Sequence, residues 1–159
     1  MSKQKTAREA ASLIIDNAVV AINSSSGLCC PDAVIQAIGE RFDKEGTPRN
    51  LTSINPIAAG DMFGTLGTDH MAKPGLLSRI IGGSYISGPS KAEPPKIWQM
   101  IVKNQVAAYN VPSGIVFDML REAAAKRPGV LTKVGMQTFV DPEMEGCAMN
   151  DAARVAPIV

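Results

Sequence analysis

Short apolar runs alternate with helical patterns along most of this chain. Residues 18–22, 51–55, 79–81 and 106–109 are apolar or β-branched runs bounded by turn-forming residues, which is typical of strands. A fifth run, at 130–134, has the same character. The first run is continuously apolar, so we expect that strand to be buried on both faces.

Helical spacing fills the intervals between these runs. Thr6 and Glu9 form a capping box, and the helix that follows should bury Ala10, Leu13 and Ile14. Further helices are predicted from Pro31 to Gly46, around 69–77, after 94–95 and over 114–126. The alternation predicts an α/β fold with an open, mostly parallel sheet flanked by helices.

The C-terminal part of the chain is less regular. Residues 141–150 are interpreted as an exposed loop, and 155–159 as the start of a strand that has no partner in this chain. We therefore expect residues 1–159 to form a single domain whose fold is incomplete at the C-terminus. Unpaired strand edges seek partners, so we also expect an oligomer.

Composition narrows the function. The 16 Lys and Arg residues balance 15 Asp and Glu residues, which argues against a nucleic-acid or membrane-surface partner. The apolar runs fall short of the ~20 residues of a membrane span. Three cysteines, two of them adjacent, suit a reducing, cytoplasmic location better than a disulfide framework. With one histidine and no ligand spacing, neither a metal site nor a permanent cofactor is expected.

The loop after the first strand is the best candidate site from the residues alone. Ser24, Ser25, Ser26 and Gly27 are small, and they lie between the strand and the helix that Pro31 opens. Backbone amides there could bind a phosphate, a carboxylate or a developing oxyanion. The alternative is that these residues form an ordinary polar connection, since no nucleotide-binding fingerprint is present.

Other reactive side chains have two interpretations each. Cys29 and Cys30 could have lowered thiol pKa values at a helix N-terminus, but small structural residues are the simpler interpretation. His70 beside Asp69 could be an oriented acid or base, or a structural histidine. The remaining candidates are interpreted as an N-cap (Ser113) and solvated loop charges (Glu143 and Glu145).

Several segments, in order, resemble the motifs of one enzyme family. Residues 16–31 are similar to DGxxVxxGGFxxxGxP, residues 46–52 to GxPRDLT, and residues 67–83 to GLDHFA…VIGGH. The most specific are 108–114, close to AYNLPQG, and 133–142, close to KVGxGTFVDP. The chain thus resembles the N-terminal, alpha-subunit-like half of the family I CoA-transferases, which include the acetate, propionate and 3-oxoacid enzymes.

The resemblance implies a function and a partner. Such enzymes exchange CoA between an acyl-CoA and a carboxylic acid through a glutamyl-CoA thioester. The nucleophilic glutamate belongs to a second half, so this chain holds no catalytic residue and is expected to be inactive alone. Coenzyme A is then a substrate, and the loop Ser24–Gly27 supplies oxyanion donors.

The same resemblance implies where the acyl group and the carboxylic acid bind. The expected substrate-binding residues are Tyr109, Asn110, Ser113, Gly114, Gly135, Gln137 and Thr138. Some positions depart from the family motifs: 23–25 replaces GGF, Cys29 and Gln137 replace glycines, and Ser113 replaces glutamine. The serine side chains leave a ligand less room to approach the backbone, and the shape of the substrate pocket is expected to differ from that of the family. Acetate is therefore not assumed to be the acceptor.

Two alternative functions remain open at this point. An acyl-CoA hydrolase half would deliver the same thioester to water. A non-catalytic CoA-binding or scaffold subunit would keep the fold while the glycine loop changed. The substitutions in the loop favour the scaffold, whereas the intact segments 109–114 and 138–142 oppose it.

Overall fold

The sheet is parallel throughout and its strands follow the order of the chain. A computed structural model describes residues 3–61, 63–86 and 93–159. Its strand order is β1-β2-β3-β4, and each neighbouring pair is parallel. The strands are β1 (Val19–Ala21), β2 (Leu51–Asn55), β3 (Leu77–Gly82) and β4 (Ala107–Asn110). The predicted α/β fold with a parallel sheet is confirmed.

The helices begin and end at residues whose chemistry accounts for them. The predicted capping box is present, because Thr6 Oγ1 accepts from the Glu9 amide while the Glu9 side chain accepts from the Thr6 amide. Gly46 ends the longest helix in the left-handed conformation. The helices are α1 (Ala7–Ala11), α2 (Asp32–Glu45), a 3-10 helix (Gly67–Met71), α3 (Lys96–Val102), α4 (Ser113–Ala124) and α5 (Asp151–Arg154).

Three predicted elements differ from the structure. The helix expected around 69–77 is the earlier and shorter 3-10 helix, because Pro74 and Gly75 prevent its extension. The strand expected at 130–134 is wrong, because these residues pair with none of the four described strands, and Leu131 and Val134 are exposed. The strand expected at 155–159 is also wrong, since these residues only follow α5.

The exposure of β1 contradicts the expectation that it is buried on both faces. The strand lies at the edge of the sheet, and Val19 is 64% exposed. α1 ends at Ala11, so Leu13 is exposed instead of packing under the helix. Continuous apolarity therefore did not identify a central strand.

Each face of the sheet has its own apolar cluster. Val20, Ile80 and Ala108 belong to the larger cluster, together with residues of α1, α2 and α3. Ile81 and Tyr109 point the opposite way and pack with residues of α4, α5 and the segment before α5. The loop expected at 141–150 thus contributes buried residues to the second cluster.

A buried asparagine joins three elements at the β4 side of the molecule. The Asn150 side-chain amide donates to the carbonyl oxygens of Ile101 (2.9 Å) and Val106 (2.8 Å). Its oxygen accepts from the amides of Ala108 (3.3 Å) and Ala153 (3.1 Å). One side chain thus satisfies four backbone groups of α3, β4 and α5, which buried polar groups require.

Replacing this asparagine should destabilise the fold measurably. We expect Asn150→Ala to lower the free energy of unfolding by about 2–4 kcal/mol, because it leaves buried carbonyl and amide groups unpaired. Trp98, the single tryptophan, packs against Tyr85 and reports unfolding by fluorescence in a denaturant titration. Asn23→Ala, at an exposed asparagine, is the matched control. Equal midpoints for the two variants would contradict this account.

A carboxylate joins the segment before β1 to the segment before β2. Asp16 Oδ1 accepts from the Thr47 hydroxyl (2.7 Å) and from the Arg49 amide (2.8 Å). The hydrogen bond from Thr47, then that from Arg49, lowers the pKa of Asp16 below its usual value. This interaction holds the β1 edge strand beside β2.

The Asp16 interaction predicts a pH dependence of stability. Because the folded-state pKa is lowered, its contribution is complete above the unfolded-state pKa and is lost as the pH falls through the folded-state value. We expect Asp16→Asn to unfold at lower denaturant than the parent protein at about pH 6, with the difference vanishing near pH 2. A difference that stays constant with pH would contradict an ionised Asp16.

Candidate functional site

The carboxyl ends of all four parallel strands lie along one edge of the sheet, where open α/β folds bind ligands. The loops that leave this edge are connected to one another. The Ser24 hydroxyl donates to the Ala58 carbonyl (3.0 Å), and the Ala58 amide donates to the Ser84 hydroxyl (2.9 Å). Gly83 in turn packs directly against Ser113. The loops after β1, β2, β3 and β4 thus form one continuous surface.

The loop Ser24–Gly27 uses part of its backbone internally. Ser25 and Leu28 exchange two hydrogen bonds of 3.0 Å, and the Ser26 carbonyl accepts from the Gly60 amide. The amide of Ser25 is therefore not free to bind an oxyanion, which corrects the prediction for that residue. Ser24 is buried and holds the loop to Ala58, so its side chain is structural. Ser26 also pairs with Ala59 in a parallel bridge, so its backbone is engaged on that side. For Gly27 the oxyanion role stays a prediction.

A carboxylate lies directly beside this loop. A methyl group on Gly27 would overlap the Asp61 carboxylate, so the two are in close contact. Asp61 Oδ1 accepts from the amides of Phe63 (2.8 Å) and Thr65 (3.3 Å), which fixes its orientation. Its negative charge opposes a second anion at Gly27. Sequence reasoning missed Asp61, although aspartate commonly accepts from the amide two residues later in a turn.

Cys30 does not have the lowered pKa considered from the sequence. Burial, then the nearby charges of Asp32 and Asp61, raises the pKa of the Cys30 thiol. Cys29 is exposed, and Cys29, Cys30 and Cys147 are all free. Cys30 is thus a weak nucleophile, which agrees with its interpretation as a small structural residue.

His70 and Asp69 do not form a pair. His70 Nε2 lies 3.3 Å from Asp32 Oδ2, while Asp69 accepts from the backbone amides of Lys96 (2.8 Å) and Ile97 (3.0 Å). Asp69 therefore caps the N-terminus of α3 and does not orient the imidazole. The structural interpretation of His70 is the better one.

Tyr109 cannot contact a substrate in this structure. Its ring is completely buried, and its hydroxyl donates to the carbonyls of Ala153 and Ala156. Its neighbour Asn110 is half-buried, and the Asn110 amide donates to the Cys147 carbonyl. The prediction of substrate binding by Tyr109 is therefore corrected: the residue anchors the segment around α5.

Ser113 and Gly114 begin α4 at the carboxyl edge of the sheet. Ser113 is the first helical residue and Pro112 is the N-cap, so the predicted N-cap role of Ser113 is wrong. A methyl group on Gly114 would meet open space, which leaves its backbone accessible.

An apolar groove of about 410 Å³ lies between α4 and the segment 128–142. It brings together parts of both predicted substrate loops, through Val111 and Pro112 on one side and Gly135 and Met136 on the other. Of the predicted residues, Gly135 lines this groove. Gln137 and Thr138 instead stabilise the turn, with the Gln137 amide donating to Asp141 and the Thr138 hydroxyl to the Gly135 carbonyl.

The charges of the C-terminal segment remain at the surface. Glu143 is exposed, and Glu145 forms an exposed ion pair with Arg154. Within residues 3–61, 63–86 and 93–159, no group of three potential ligand side chains could hold a metal ion. The same residues include no helix of the length and apolarity that crossing a membrane requires.

Comparison with known proteins decides the family. The coenzyme A transferase family model matches residues 4–157. The chain belongs to the coenzyme A transferase family. It is 31% identical over 150 residues to the acetate CoA-transferase YdiF of Escherichia coli K12, and 34% identical over 154 residues to the caffeate CoA-transferase of Acetobacterium woodii. Each alignment covers 94% of this chain and 27% of the relative, so the chain spans about a quarter of each relative's length.

Solved CoA-transferase structures share the fold. The YdiF acyl-CoA transferase of E. coli O157:H7, as a thioester complex with CoA, matches with a TM-score of 0.80 at 31% identity. That alignment covers 92% of this chain and 29% of the other. The YdiF apoenzyme matches with a TM-score of 0.77 at 30% identity, over 93% of this chain and 28% of the other. The edge loops therefore belong to a CoA-transferase domain.

The contact between the loops after β3 and β4 of this CoA-transferase domain can be tested at Gly83. A methyl group there would overlap the Pro56 carbonyl and Ser113. We expect Gly83→Ala to lower the free energy of unfolding by about 1–3 kcal/mol, measured by denaturant titration. Gly114→Ala, in α4 with open space around it, should be neutral or stabilising by up to about 1 kcal/mol. A Gly83→Ala variant as stable as Gly114→Ala would contradict the close contact.

Proposed function

We propose that this chain is the N-terminal part of a CoA-transferase that exchanges CoA between an acyl-CoA and a short carboxylic acid through glutamyl-CoA. The observation that carries the proposal is the family match over residues 4–157. The gathering of the family-like loops at one sheet edge adds to it. On this account the catalytic glutamate lies on another part of the enzyme, and the assembly functions in the cytoplasm as an oligomer.

The proposed reaction conserves atoms and electrons without a cofactor. The glutamate carboxylate adds to the acyl-CoA carbonyl, and loss of the CoA thiolate gives an acyl-glutamyl anhydride. The thiolate then attacks the glutamyl carbonyl, which releases the first carboxylate and leaves glutamyl-CoA. The acceptor carboxylate repeats these steps in reverse, so CoA leaves on the acceptor and the glutamate is regenerated.

This chain's proposed contribution is electrostatic and steric. Each tetrahedral intermediate carries an oxyanion, which amide donors stabilise. The amide of Gly27 is the donor we assign, and this role requires the Asp61 carboxylate to turn away in the assembled enzyme. The apolar groove beside α4, which Gly135 lines, is the proposed site of the acyl chain.

The surroundings of four glutamates of this chain support a nucleophile located elsewhere. Glu9 caps α1, while Glu45, Glu122 and Glu145 are held by arginines at the surface. A nucleophilic carboxylate needs a site that excludes water and holds the thioester. These four glutamates have no such surroundings.

One observation favours a non-catalytic subunit as a second candidate. With the Asp61 carboxylate against Gly27 and the Ser25 amide bonded to Leu28, the loop disfavours an oxyanion in this conformation. A subunit that binds CoA without turnover would tolerate that arrangement.

An exchange assay separates the candidate functions. This chain is assayed in place of the matched 150 residues of the E. coli YdiF enzyme, with acetyl-CoA and isotopically labelled carboxylic acids. A transferase moves CoA to the labelled acid, a hydrolase releases CoA without an acceptor, and a non-catalytic subunit does neither. Absence of exchange in a folded, CoA-binding assembly would contradict the proposed function.

The oxyanion loop itself makes a sharper prediction. In the same assembly, we expect Gly27→Ala to lower kcat at least ~10-fold with little change in KM, because the methyl group leaves no room for the Asp61 side chain and displaces the loop amide from the transition state. Val102→Ala, at the exposed end of α3 and outside the groove, is the control. Equal kcat values for the two variants would contradict the role of the loop.

A further inference from the structure

One face of the sheet is covered near β4 but exposed near β1. Val19, Thr52, Arg79 and Ala107 form one row across the four strands, and Ala21, Ile54, Ile81 and Tyr109 form the next. At the β4 side, Tyr109 and Ile81 are buried. At the β1 side, Val19 and Ala21 are exposed, and Thr52 and Ile54 are only half-buried.

An open face of this kind is unusual for a parallel sheet. Parallel strands normally have both faces covered, which is why their sequences are nearly continuously apolar. The β1 sequence has that character, yet Val19 and Ala21 are exposed. We name Val19, Ala21, Thr52 and Ile54 the open face.

Arg79 places a positive charge at the border of the open face, and a partner that binds there must accommodate this charge. Its guanidinium carbon lies 5.8 Å from the centroid of the buried Tyr109 ring, and the residue as a whole is half-buried. Among the described residues it forms no ion pair with a carboxylate. A guanidinium held against an apolar surface is stabilised by a carboxylate in a planar, two-bonded geometry.

We propose that the open face binds a segment of the remaining CoA-transferase polypeptide, apolar on one side and carrying a carboxylate opposite Arg79. The matched relatives are almost four times as long as the region that this chain covers, so they contain such additional polypeptide. A second copy fits less well, because in a twofold interface the same face must supply its own complement, and none of the four residues of the open face carries a carboxylate to meet Arg79. This inference rests on the proposed function in one respect, because it takes the rest of the CoA-transferase as the partner.

Cysteine labelling tests the proposal without requiring activity. Ala21→Cys places a thiol on the open face, and Val102→Cys places one at the exposed end of α3. Labelling is quantified at each site by mass spectrometry, in the isolated chain and in a fusion that replaces the matched 150 residues of E. coli YdiF. We expect labelling at Ala21→Cys to slow at least ~10-fold in the fusion, and labelling at Val102→Cys to change less than twofold.

The Arg79 requirement is tested in the same fusion. Arg79→Glu should restore most of the labelling at Ala21→Cys, while Arg79→Lys should restore less. Unchanged labelling in the fusion would overturn the proposal, as would protection of the isolated chain that increases with its concentration, the behaviour of a second copy. A fusion that protects Ala21→Cys but exchanges no CoA would contradict the proposed function alone.

Discussion

The parallel pairing of four strands in chain order is the constraint on which the site depends. It places every strand's carboxyl end at one edge, so four loops that are distant in sequence must meet there. The contacts from Ser24 through Ala58 to Ser84, and from Gly83 to Ser113, turn these loops into one surface. Asp16 and Asn150 hold the two ends of the sheet in position, at β1 and at β4 respectively.

The same constraint explains what the sequence could and could not predict. The four strands were predictable because each is a short apolar run between turn residues. The run at 130–134 has the same local pattern, but strand formation needs a neighbour, and Ala148 bridges to Tyr109 at the outer side of β4 instead. Edge position is likewise a property of the whole sheet, so the exposure of Val19 could not be read from its own segment.

The contacts within the candidate site could not be predicted from the sequence. The loops after β1 and β4 leave the same edge because their strands are parallel members of one sheet. Burial of Tyr109 and the contact of Asp61 with Gly27 depend on long-range packing, which local motifs do not specify. The Asp61 carboxylate is the point at which the geometry and the proposed chemistry conflict most, because both it and the oxyanion are negative.

The central claim is that this chain supplies a surface for thioester chemistry whose nucleophile lies on another part of the enzyme. Its most direct test is to react the YdiF-based assembly with acyl-CoA and to map the covalent CoA adduct by peptide mass spectrometry. The account predicts an adduct on a glutamate outside these 159 residues. An adduct on a glutamate of this chain, or a catalytically competent assembly that forms no adduct, would contradict it.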